Sequence, residues 1–219
     1  MVRHLSAYFS KKGFFTKQEV SAGYGRADLV LVKLNKAKCE IRKNRKQVTP
    51  LLKEHFFQIL RQLPDIDDSK QKSPMSFKEL SKSVSVSDSY LKYHLLRELE
   101  EAGYIKKVEN EYFYKVNGWV PLVKEMIAIE AKLRDWKRGF IQANRYKSFA
   151  DKSYLAILDK YSHLVDLETL ALHNIGLFVL SDDCEHVQEV LKPNLSERTK
   201  QDKRNYVSEL YLHEALTID

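Results

Sequence analysis

The sequence has little cysteine: Cys39 and Cys184 are the only two among 219 residues, and neither belongs to a CxxC pair or a Cys/His cluster. So few cysteines argue against a disulfide-stapled scaffold and against a structural zinc site. They are typical of a protein that works in a reducing compartment, so we expect a cytoplasmic location. The seven histidines are scattered and form no HExxH motif, so they indicate no metal centre.

Long apolar runs are also absent. No stretch approaches the roughly 20 apolar residues that cross a membrane, and the amino terminus lacks an apolar signal segment, so we expect no membrane partner. The sequence is rich in charge instead: 37 Lys and Arg against 30 Asp and Glu give a net charge of +7. A basic balance favours a polyanionic partner such as DNA, although an ordinary basic protein has the same composition.

The order of apolar patterns predicts an α/β fold that is interrupted by a second unit. Unbroken or alternating apolar runs predict strands, and apolar residues at three- and four-residue spacing predict helices. The predicted strands are 13–20, 27–34, 118–133, 153–159 and 176–182. The predicted helices are 2–12, 134–150, 167–175 and 197–216. Residues 1–47 and 118–219 are therefore expected to form one discontinuous α/β core.

Residues 48–117 have the pattern of a separate unit. A Thr-Pro pair at 49–50 predicts the start of one helix, and a capping box from Ser76 to Glu79 predicts the start of the next. A longer helix follows, and an alternating segment then turns at 109–111, which predicts a β-hairpin. Helix, short helix, turn, longer helix and hairpin is the element order of a winged helix-turn-helix.

Acidic and basic side chains interrupt one of the apolar strands. Strand side chains alternate between faces, so Glu130 and Lys132 share one face with Ala128. The other face is expected to pack and holds Ile127, Ile129, Ala131 and Leu133. Asp28 stands near the start of strand 27–34. Two acids on neighbouring strands can hold one divalent cation, and a lysine beside them can orient or deprotonate a metal-bound water.

These residues resemble the motifs of the PD-(D/E)xK nuclease superfamily, the restriction-endonuclease-like fold. Asp28 in RADLVLV and Glu130-Ala131-Lys132 in IEAKL match its acid and its Glu-x-Lys element. Ala27 stands where the family has a proline before the first acid. The resemblance covers 14–34 and 121–182, and the predicted winged helix interrupts it.

Two further elements add to the resemblance. Glu19 lies on the strand before Asp28, where many members carry a helper acid. QANRY, from Gln142 to Tyr146, is similar to the Q-x-x-x-Y element of one large branch, and residues four apart share a helix face. The resemblance implies a mixed central sheet flanked by helices, with the winged helix-turn-helix inserted.

The resemblance also implies a Mg²⁺-dependent DNA endonuclease, in which Mn²⁺ can substitute. Its implied metal ligands are Asp28, Glu130 and Glu19. Lys132 would position or activate the attacking water, and Gln142 and Tyr146 would orient the lysine, the phosphate or the strand. Each residue also has a plainer interpretation, such as an exposed ion pair between Glu130 and Lys132 or a turn-ending Asp28.

The candidate DNA contacts lie on the predicted winged helix and on a basic run. The outward positions of its longer helix are Ser87, Ser89, Lys92, Tyr93 and Arg97, and the hairpin adds Lys106 and Lys107. The basic run within 33–47 contains Arg42, Lys43, Arg45 and Lys46 and is expected to be an exposed connection or strand edge. Such a run supplies phosphate contacts or is simply solvated.

Two other functions remain open on the sequence. One is a catalytically silent DNA-binding regulator on the same fold, and the other is an adaptor whose winged helix binds a protein. A homodimer is also possible, because a double-strand cutter usually needs two active sites. The candidate interface is a carboxy-terminal helix with Val207, Leu210, Tyr211 and Leu216, for which packing on the core is the alternative.

Overall fold

The computed structural model describes residues 1–22, 25–65, 73–116 and 118–217. The strands are β1 (Phe15–Ser21), β2 (Arg26–Leu34), β3 (Met75–Ser76), β4 (Ile105–Val108), β5 (Tyr112–Lys115), β6 (Val123–Lys132), β7 (Lys152–Leu158), β8 (Gly176–Leu180) and β9 (Val187–Leu191). The α-helices are α1 (Val2–Lys11), α2 (Lys36–Asn44), α3 (Glu54–Gln62), α4 (Phe77–Ser83), α5 (Asp88–Tyr90), α6 (Arg97–Glu101), α7 (Trp136–Tyr146), α8 (Leu167–Leu172), α9 (Gln201–Glu209) and α10 (Leu212–Leu216). Part of the predicted turn at 21–26 and part of the loop after α3 lie outside the described residues.

The chain divides into two units, and each is built from two stretches of sequence. The first unit is Met1–Asn35 with Val123–Val207, and the second is Lys36–Leu122 with Ser208–Asp219. The second unit therefore begins earlier than the predicted residue 48 and also takes in the end of the chain. The reason is that the basic run forms helix α2, which contacts α10 within the second unit.

The first unit is a mixed α/β structure around a six-stranded sheet. Its strand order is β1-β2-β6-β7-β8-β9. The central pairs β6–β7 and β7–β8 are parallel, and the pairs β1–β2, β2–β6 and β8–β9 are antiparallel. Strand β9 was not predicted, because its five residues are mostly exposed and carry little apolar pattern.

Apolar layers cover both faces of this sheet. On one face, Leu29 and Ile129 pack with Leu5 and Phe9 of α1. On the other face, Leu155 and Ile157 pack with Ala143 of α7 and Leu170 of α8. The predicted alternation in β6 is confirmed for Ile127, Ile129 and Ala131, which all belong to the α1 layer. Leu133 is exposed instead, because the strand ends one residue before it.

The second unit contains short helices and the three-stranded sheet β3-β5-β4. The predicted capping box is confirmed: the Ser76 hydroxyl accepts from the Glu79 amide at 3.3 Å, and the Glu79 carboxylate accepts from the Ser76 amide at 2.9 Å. The predicted hairpin is confirmed as β4 and β5. The longer helix is continuous from α5 to α6 through a π-helical segment, Leu91–Leu96, whose hydrogen bonds span one residue more than those of an α-helix.

Helix α3 begins at Glu54 rather than at Thr49 and Pro50, where the sequence predicts its start. Tertiary hydrogen bonds hold the residues before it in another conformation. The Thr49 carbonyl accepts from the Tyr104 hydroxyl at 3.3 Å, and the Leu51 amide donates to the Glu209 carboxylate at 3.0 Å.

A buried ion pair lies inside the second unit. Arg42 and Glu209 are both fully buried, and two guanidinium nitrogens donate to the carboxylate at 2.7 and 3.1 Å. The indole of Trp119 donates to the same carboxylate at 2.7 Å. The prediction that Arg42 contacts DNA phosphate is therefore wrong, because its side chain has no exposed surface and already faces a carboxylate.

The carboxy-terminal segment forms two helices, α9 and α10, where the sequence predicts one. Val207 and Tyr211 are fully buried within the chain. Packing inside the protein thus accounts for these two residues, and the proposed use of this face as a homodimer interface loses its main apolar side chains. No helix in the described part of the chain is both long and apolar enough to span a bilayer.

Candidate active site

The candidate site lies where β2 and β6 run side by side in the first unit. In their antiparallel register Leu29 pairs with Ile129, so Asp28 and Glu130 come next to each other at the same end of the pair. Both acids are displayed on the sheet face away from the α1 layer, because side chains alternate along a strand. Two carboxylates that are 102 positions apart in sequence therefore share one place in the fold, with Lys132 two residues further along β6.

A hydrogen bond from the backbone and a nearby ammonium hold Asp28 in this position. Its Oδ2 accepts from the backbone amide of Ala131 at 2.8 Å and lies 4.0 Å from the Lys132 Nζ. About a quarter of the Asp28 side chain remains exposed, at 23%. A carboxylate fixed by a backbone amide but open to solvent can still bind a ligand through its other oxygen.

Glu130 is fully buried, which is unusual for a carboxylate in a strand. Its Oε1 contacts the Lys132 ammonium, and its Oε2 accepts from the Tyr146 hydroxyl. Burial raises the pKa of Glu130 above its ordinary value, and the contacts with Lys132 and Tyr146 only partly oppose that rise. The neutral form of Glu130 is therefore more favoured in this site than it would be in water. A bound metal cation would reverse that preference by compensating the negative charge.

Tyr146 joins α7 to the two strands. Its hydroxyl also lies 2.9 Å from the Arg26 carbonyl, so it has two acceptors and a single proton. Burial, followed by the neighbouring Glu130, raises the pKa of Tyr146 far above its ordinary value, so the phenol stays protonated. When Glu130 is neutral it can donate to the Tyr146 hydroxyl, which then donates to the Arg26 carbonyl; when Glu130 is ionised, its carboxylate accepts a hydrogen bond from the phenol.

We expect Glu130→Gln to change how stability depends on pH. The folded pKa of Glu130 is raised, so between the ordinary value and the raised value the native state holds a proton that the unfolded state has lost. Native stability therefore falls as pH rises through that window, and the glutamine variant escapes the fall. Urea unfolding in EDTA at a series of pH values should show that the free energy of unfolding of the variant increases relative to that of the wild type as pH rises.

The matched control for that experiment is Glu185→Gln, at an exposed carboxylate of the same unit. Its unfolding curves should run parallel to those of the wild type across the pH range. Parallel curves for Glu130→Gln as well would contradict the argument that burial governs this carboxyl.

Gly139 of α7 permits the close approach of this helix to the site. A Cβ at this position would lie 2.5 Å from the Leu155 Cδ1 and 2.9 Å from the Lys132 Cγ, both closer than real contacts allow. Gly139 was not among the predicted site residues, although a glycine inside a predicted helix costs about 1 kcal/mol relative to alanine and is a signal of such an approach.

Gly139→Ala is expected to move α7 or the lysine side chain. The gain in helix propensity, about 1 kcal/mol, should be outweighed by overpacking, which typically costs about 1–3 kcal/mol. Thermal unfolding should show a net loss of stability. Ala143→Gly in the same helix is the comparison, because it removes a methyl group without a clash. A more stable Gly139→Ala variant would show that the contact with Lys132 is easily relieved.

Gln142 lies one turn before Tyr146 on α7, as its spacing predicts. Its side-chain oxygen is buried and has no hydrogen-bond partner in the described part of the chain. The structure therefore places Gln142 on the same helix as Tyr146, but among the described residues its side-chain oxygen has no hydrogen bond to the Glu130–Lys132 pair.

Glu19 is not part of the cluster. Its backbone is left-handed, with φ of 56°, which distorts β1, and its carboxylate pairs with the Arg26 Nε at 2.5 Å. More than half of its side chain is exposed, at 53%. Among the described residues, no group of three or more His, Cys, Asp or Glu side chains is arranged to hold a metal ion. The predicted ligand set of Asp28, Glu130 and Glu19 is thus reduced to its first two members.

The side chains predicted to contact DNA in the second unit are mostly exposed. The exposed positions are Ser87, Ser89, Tyr93, Arg97, Lys106, Lys107, Arg45 and Lys46. Three cations already face acids: Lys92 lies 2.5 Å from Glu111, Arg97 lies 2.7 Å from Glu101, and Lys43 lies 2.7 Å from Glu40. The ion pairs of Lys92 and Arg97 reduce the positive charge that the longer helix presents, and the pair of Lys43 does the same for α2.

Comparisons with known proteins identify no family for this chain. The sequence matches no protein-family model and none of the curated proteins. A solved structure, the SPO1766 protein of unknown function from Silicibacter pomeroyi, is similar with a TM-score of 0.44 and 11% identity, over 97% of this chain and 82% of that one. Similarity at this level indicates neither a family nor a function.

Proposed function

We propose that this protein is a metal-dependent DNA endonuclease that hydrolyses phosphodiester bonds at the Asp28–Glu130–Lys132 cluster. The observation that carries the proposal is the meeting of two carboxylates and an ammonium from two adjacent strands, with Glu130 fully buried. A buried charge costs several kcal/mol, roughly, unless it is compensated. A sheet that needed only stability would place apolar side chains there, so the cluster favours a chemical role.

The donor set fits magnesium, with manganese as a substitute. Mg²⁺ is commonly held by only one or two carboxylates, with waters and substrate phosphates as the remaining ligands. Asp28 and Glu130 would supply these carboxylates, so the displacement of Glu19 does not remove the site. When bound, the ion would stabilise negative charge on the phosphate and acidify a water.

The protein residues would prepare the site for that chemistry. Lys132 would hold the attacking water near the carboxylates and take part in moving its proton. Tyr146 would fix the orientation of Glu130 through Oε2, and the Ala131 amide would fix that of Asp28. The resemblance to the PD-(D/E)xK superfamily implies the same part for Lys132, whereas for Tyr146 it implies orientation of the lysine, the phosphate or the strand.

The second unit would dock on DNA as a winged helix-turn-helix. Its element order and the exposed Lys106 and Lys107 on β4 support this role. Lysines supply the salt-dependent phosphate contacts, whereas the acids that pair with Lys92 and Arg97 limit the charge of the longer helix. We therefore expect this unit to contribute affinity more than sequence selectivity.

A second candidate function is a catalytically silent DNA-binding regulator. The observation in its favour is that both Glu130 oxygens already contact Lys132 and Tyr146. A carboxylate held in this way can serve as an internal ion pair without any metal. Both candidates bind DNA, so cleavage is the property that separates them.

The deciding experiment incubates the protein with supercoiled plasmid and with linear single-stranded DNA in Mg²⁺, Mn²⁺ or EDTA. Binding to the same DNA is measured in parallel at low and high salt. Cleavage with either metal and none in EDTA supports the nuclease. Binding that weakens steeply with salt, without cleavage under any metal, supports the regulator. If the protein neither binds nor cleaves DNA, both candidate functions are overturned and the protein-binding adaptor is favoured.

A further inference from the structure

A polar pocket of about 300 Å³ lies in the first unit, where the carboxy-terminal ends of α7 and α8 meet the segment after β9. Lys147 and Arg198 supply the basic part of its lining, and Leu172 and Leu195 supply the apolar part. Its volume falls at the small end of ligand pockets, which span roughly 300–1,000 Å³. A single small molecule or one terminal group of a larger molecule would fill it.

Hydrogen bonds build the walls of this pocket. The Asn174 side chain is bonded twice to the backbone of Asn194: its Nδ2 donates to the Asn194 carbonyl at 3.2 Å, and its Oδ1 accepts from the Asn194 amide at 2.7 Å. The Ser196 hydroxyl donates to the Lys147 carbonyl at 3.1 Å, and the Ser196 amide donates to the Asp151 carbonyl at 2.8 Å. The pocket is thus held open by specific contacts, which lowers the cost of ordering it around a ligand.

Lys147 is a buried cation without a counter-charge. Only 5% of this residue is exposed, and its ammonium donates to the His173 carbonyl at 2.7 Å. Within the described part of the chain, no carboxylate forms an ion pair with Lys147 or with Arg198. Burial, and then the charge of Arg198, lower the pKa of Lys147. An anion in the pocket would relieve both effects at once.

The rim of the pocket is apolar and exposed. Leu172 is 84% exposed and Leu195 is 68% exposed, although leucine side chains are usually buried. Glu197 also lines the pocket, and its exposed carboxylate disfavours a ligand with several negative groups. A ligand that matches the lining therefore carries one phosphate-sized anion on an apolar or planar body.

We propose that this pocket binds the phosphate of a nucleoside monophosphate unit, with Lys147 and Arg198 holding the phosphate and Leu172 and Leu195 contacting the base or sugar. The unit could be a free nucleotide or the phosphorylated end of a nucleic acid strand, and both present the same chemistry. This assignment does not depend on the Asp28–Glu130–Lys132 cluster being a nuclease.

Isothermal titration of the full chain in EDTA tests the proposal. The probes are inorganic phosphate, deoxyadenosine 5′-monophosphate, a 5′-phosphorylated single-stranded oligonucleotide and the same oligonucleotide with a 5′-hydroxyl. The variants are Arg198→Ala and Lys147→Met. Arg198 is exposed, so alanine is tolerated there, whereas Lys147 is buried and methionine keeps a side chain of similar length without the charge. Lys192→Ala is the control, because it removes an exposed positive charge nearby that does not line the pocket.

We expect the nucleotide to bind and each pocket variant to weaken it by about tenfold or more, the loss typical of one charge-assisted hydrogen bond. Lys192→Ala should bind like the wild type. Leu172→Ser should weaken the nucleotide and leave inorganic phosphate unchanged. If the phosphorylated oligonucleotide binds more tightly than the same oligonucleotide with a 5′-hydroxyl, the ligand is the end of a strand. If the two oligonucleotides bind equally while deoxyadenosine 5′-monophosphate binds, the ligand is the free nucleotide.

Two results would overturn the proposal. One is the absence of nucleotide and phosphorylated-strand binding to the wild type. The other is binding that Arg198→Ala and Lys147→Met leave unchanged, with both variants folded by circular dichroism. The second result would place the phosphate contacts elsewhere on this basic protein.

Discussion

Lys132→Ala is expected to lower the rate of metal-dependent DNA cleavage by about 10²–10⁴-fold, the range typical for loss of a residue that transfers or positions a proton. The substitution removes the only ammonium in contact with Glu130 among the described residues. It also leaves the buried carboxylate with Tyr146 as its remaining side-chain donor, so we expect a lower melting temperature as well. Activity must therefore be compared below the unfolding transition of both proteins.

Asp28→Asn separates chemistry from folding. The asparagine oxygen can still accept from the Ala131 amide, so the local hydrogen bond is preserved while the negative charge is lost. We expect a comparable loss of cleavage with a smaller change in stability. Lys137→Ala, at an exposed lysine on α7, should leave cleavage unchanged and controls for lost positive charge. Full activity in Lys132→Ala and Asp28→Asn would remove this cluster from the mechanism.

Arg42→Met should destabilise the second unit by about 3–5 kcal/mol, the typical result of removing one partner from a buried ion pair. Glu209 would remain fully buried and, among the residues that the structure describes, would keep the Trp119 indole and the Leu51 amide as its donors. Such a change is a large fraction of the stability of an ordinary domain, about 5–15 kcal/mol. Urea unfolding followed by tryptophan fluorescence would report it, since Trp119 contacts the same carboxylate.

The double variant Arg42→Met with Glu209→Gln tests the reason for that loss. A neutral glutamine has one oxygen, which can still accept from Trp119 or from Leu51, and it leaves no uncompensated charge, so the double variant should be more stable than Arg42→Met alone. Arg97→Ala is the matched control, because its ion pair with Glu101 is exposed and screened by solvent and should contribute little to stability. A loss in Arg42→Met no larger than in Arg97→Ala would contradict the argument.

Local sequence patterns predicted the features that depend on a few neighbouring residues. Alternation in β6 placed Glu130 and Lys132 on one face, and the capping box placed the start of α4 at Ser76. Both follow from rules that act within a strand or a single helical turn. The candidate site was therefore largely predictable, because its residues come from two strongly patterned strands.

The features that failed depend on contacts between distant residues. The basic run that contains Arg42 has the sequence pattern of a solvated segment. The carboxylate that pairs with the buried Arg42 belongs to Glu209, which is 167 positions away in sequence. The Thr-Pro pair at 49–50 has good helix-start chemistry, but Tyr104 and Glu209 form hydrogen bonds with the backbone of Thr49 and Leu51 instead. Glu19 fits its expected strand, yet Arg26 and a left-handed backbone turn it outward. No local pattern contains this information.

The pairing of Arg42 with Glu209 has a consequence for synthesis on the ribosome. Glu209 follows residues 1–208, so Arg42 and α2 emerge long before the carboxylate that neutralises them. Until then the second unit lacks its internal counter-ion, and a guanidinium without one resists burial. We therefore expect the second unit to reach its final packing only after Glu209 has been translated, although residues 36–122 of that unit are made well before it.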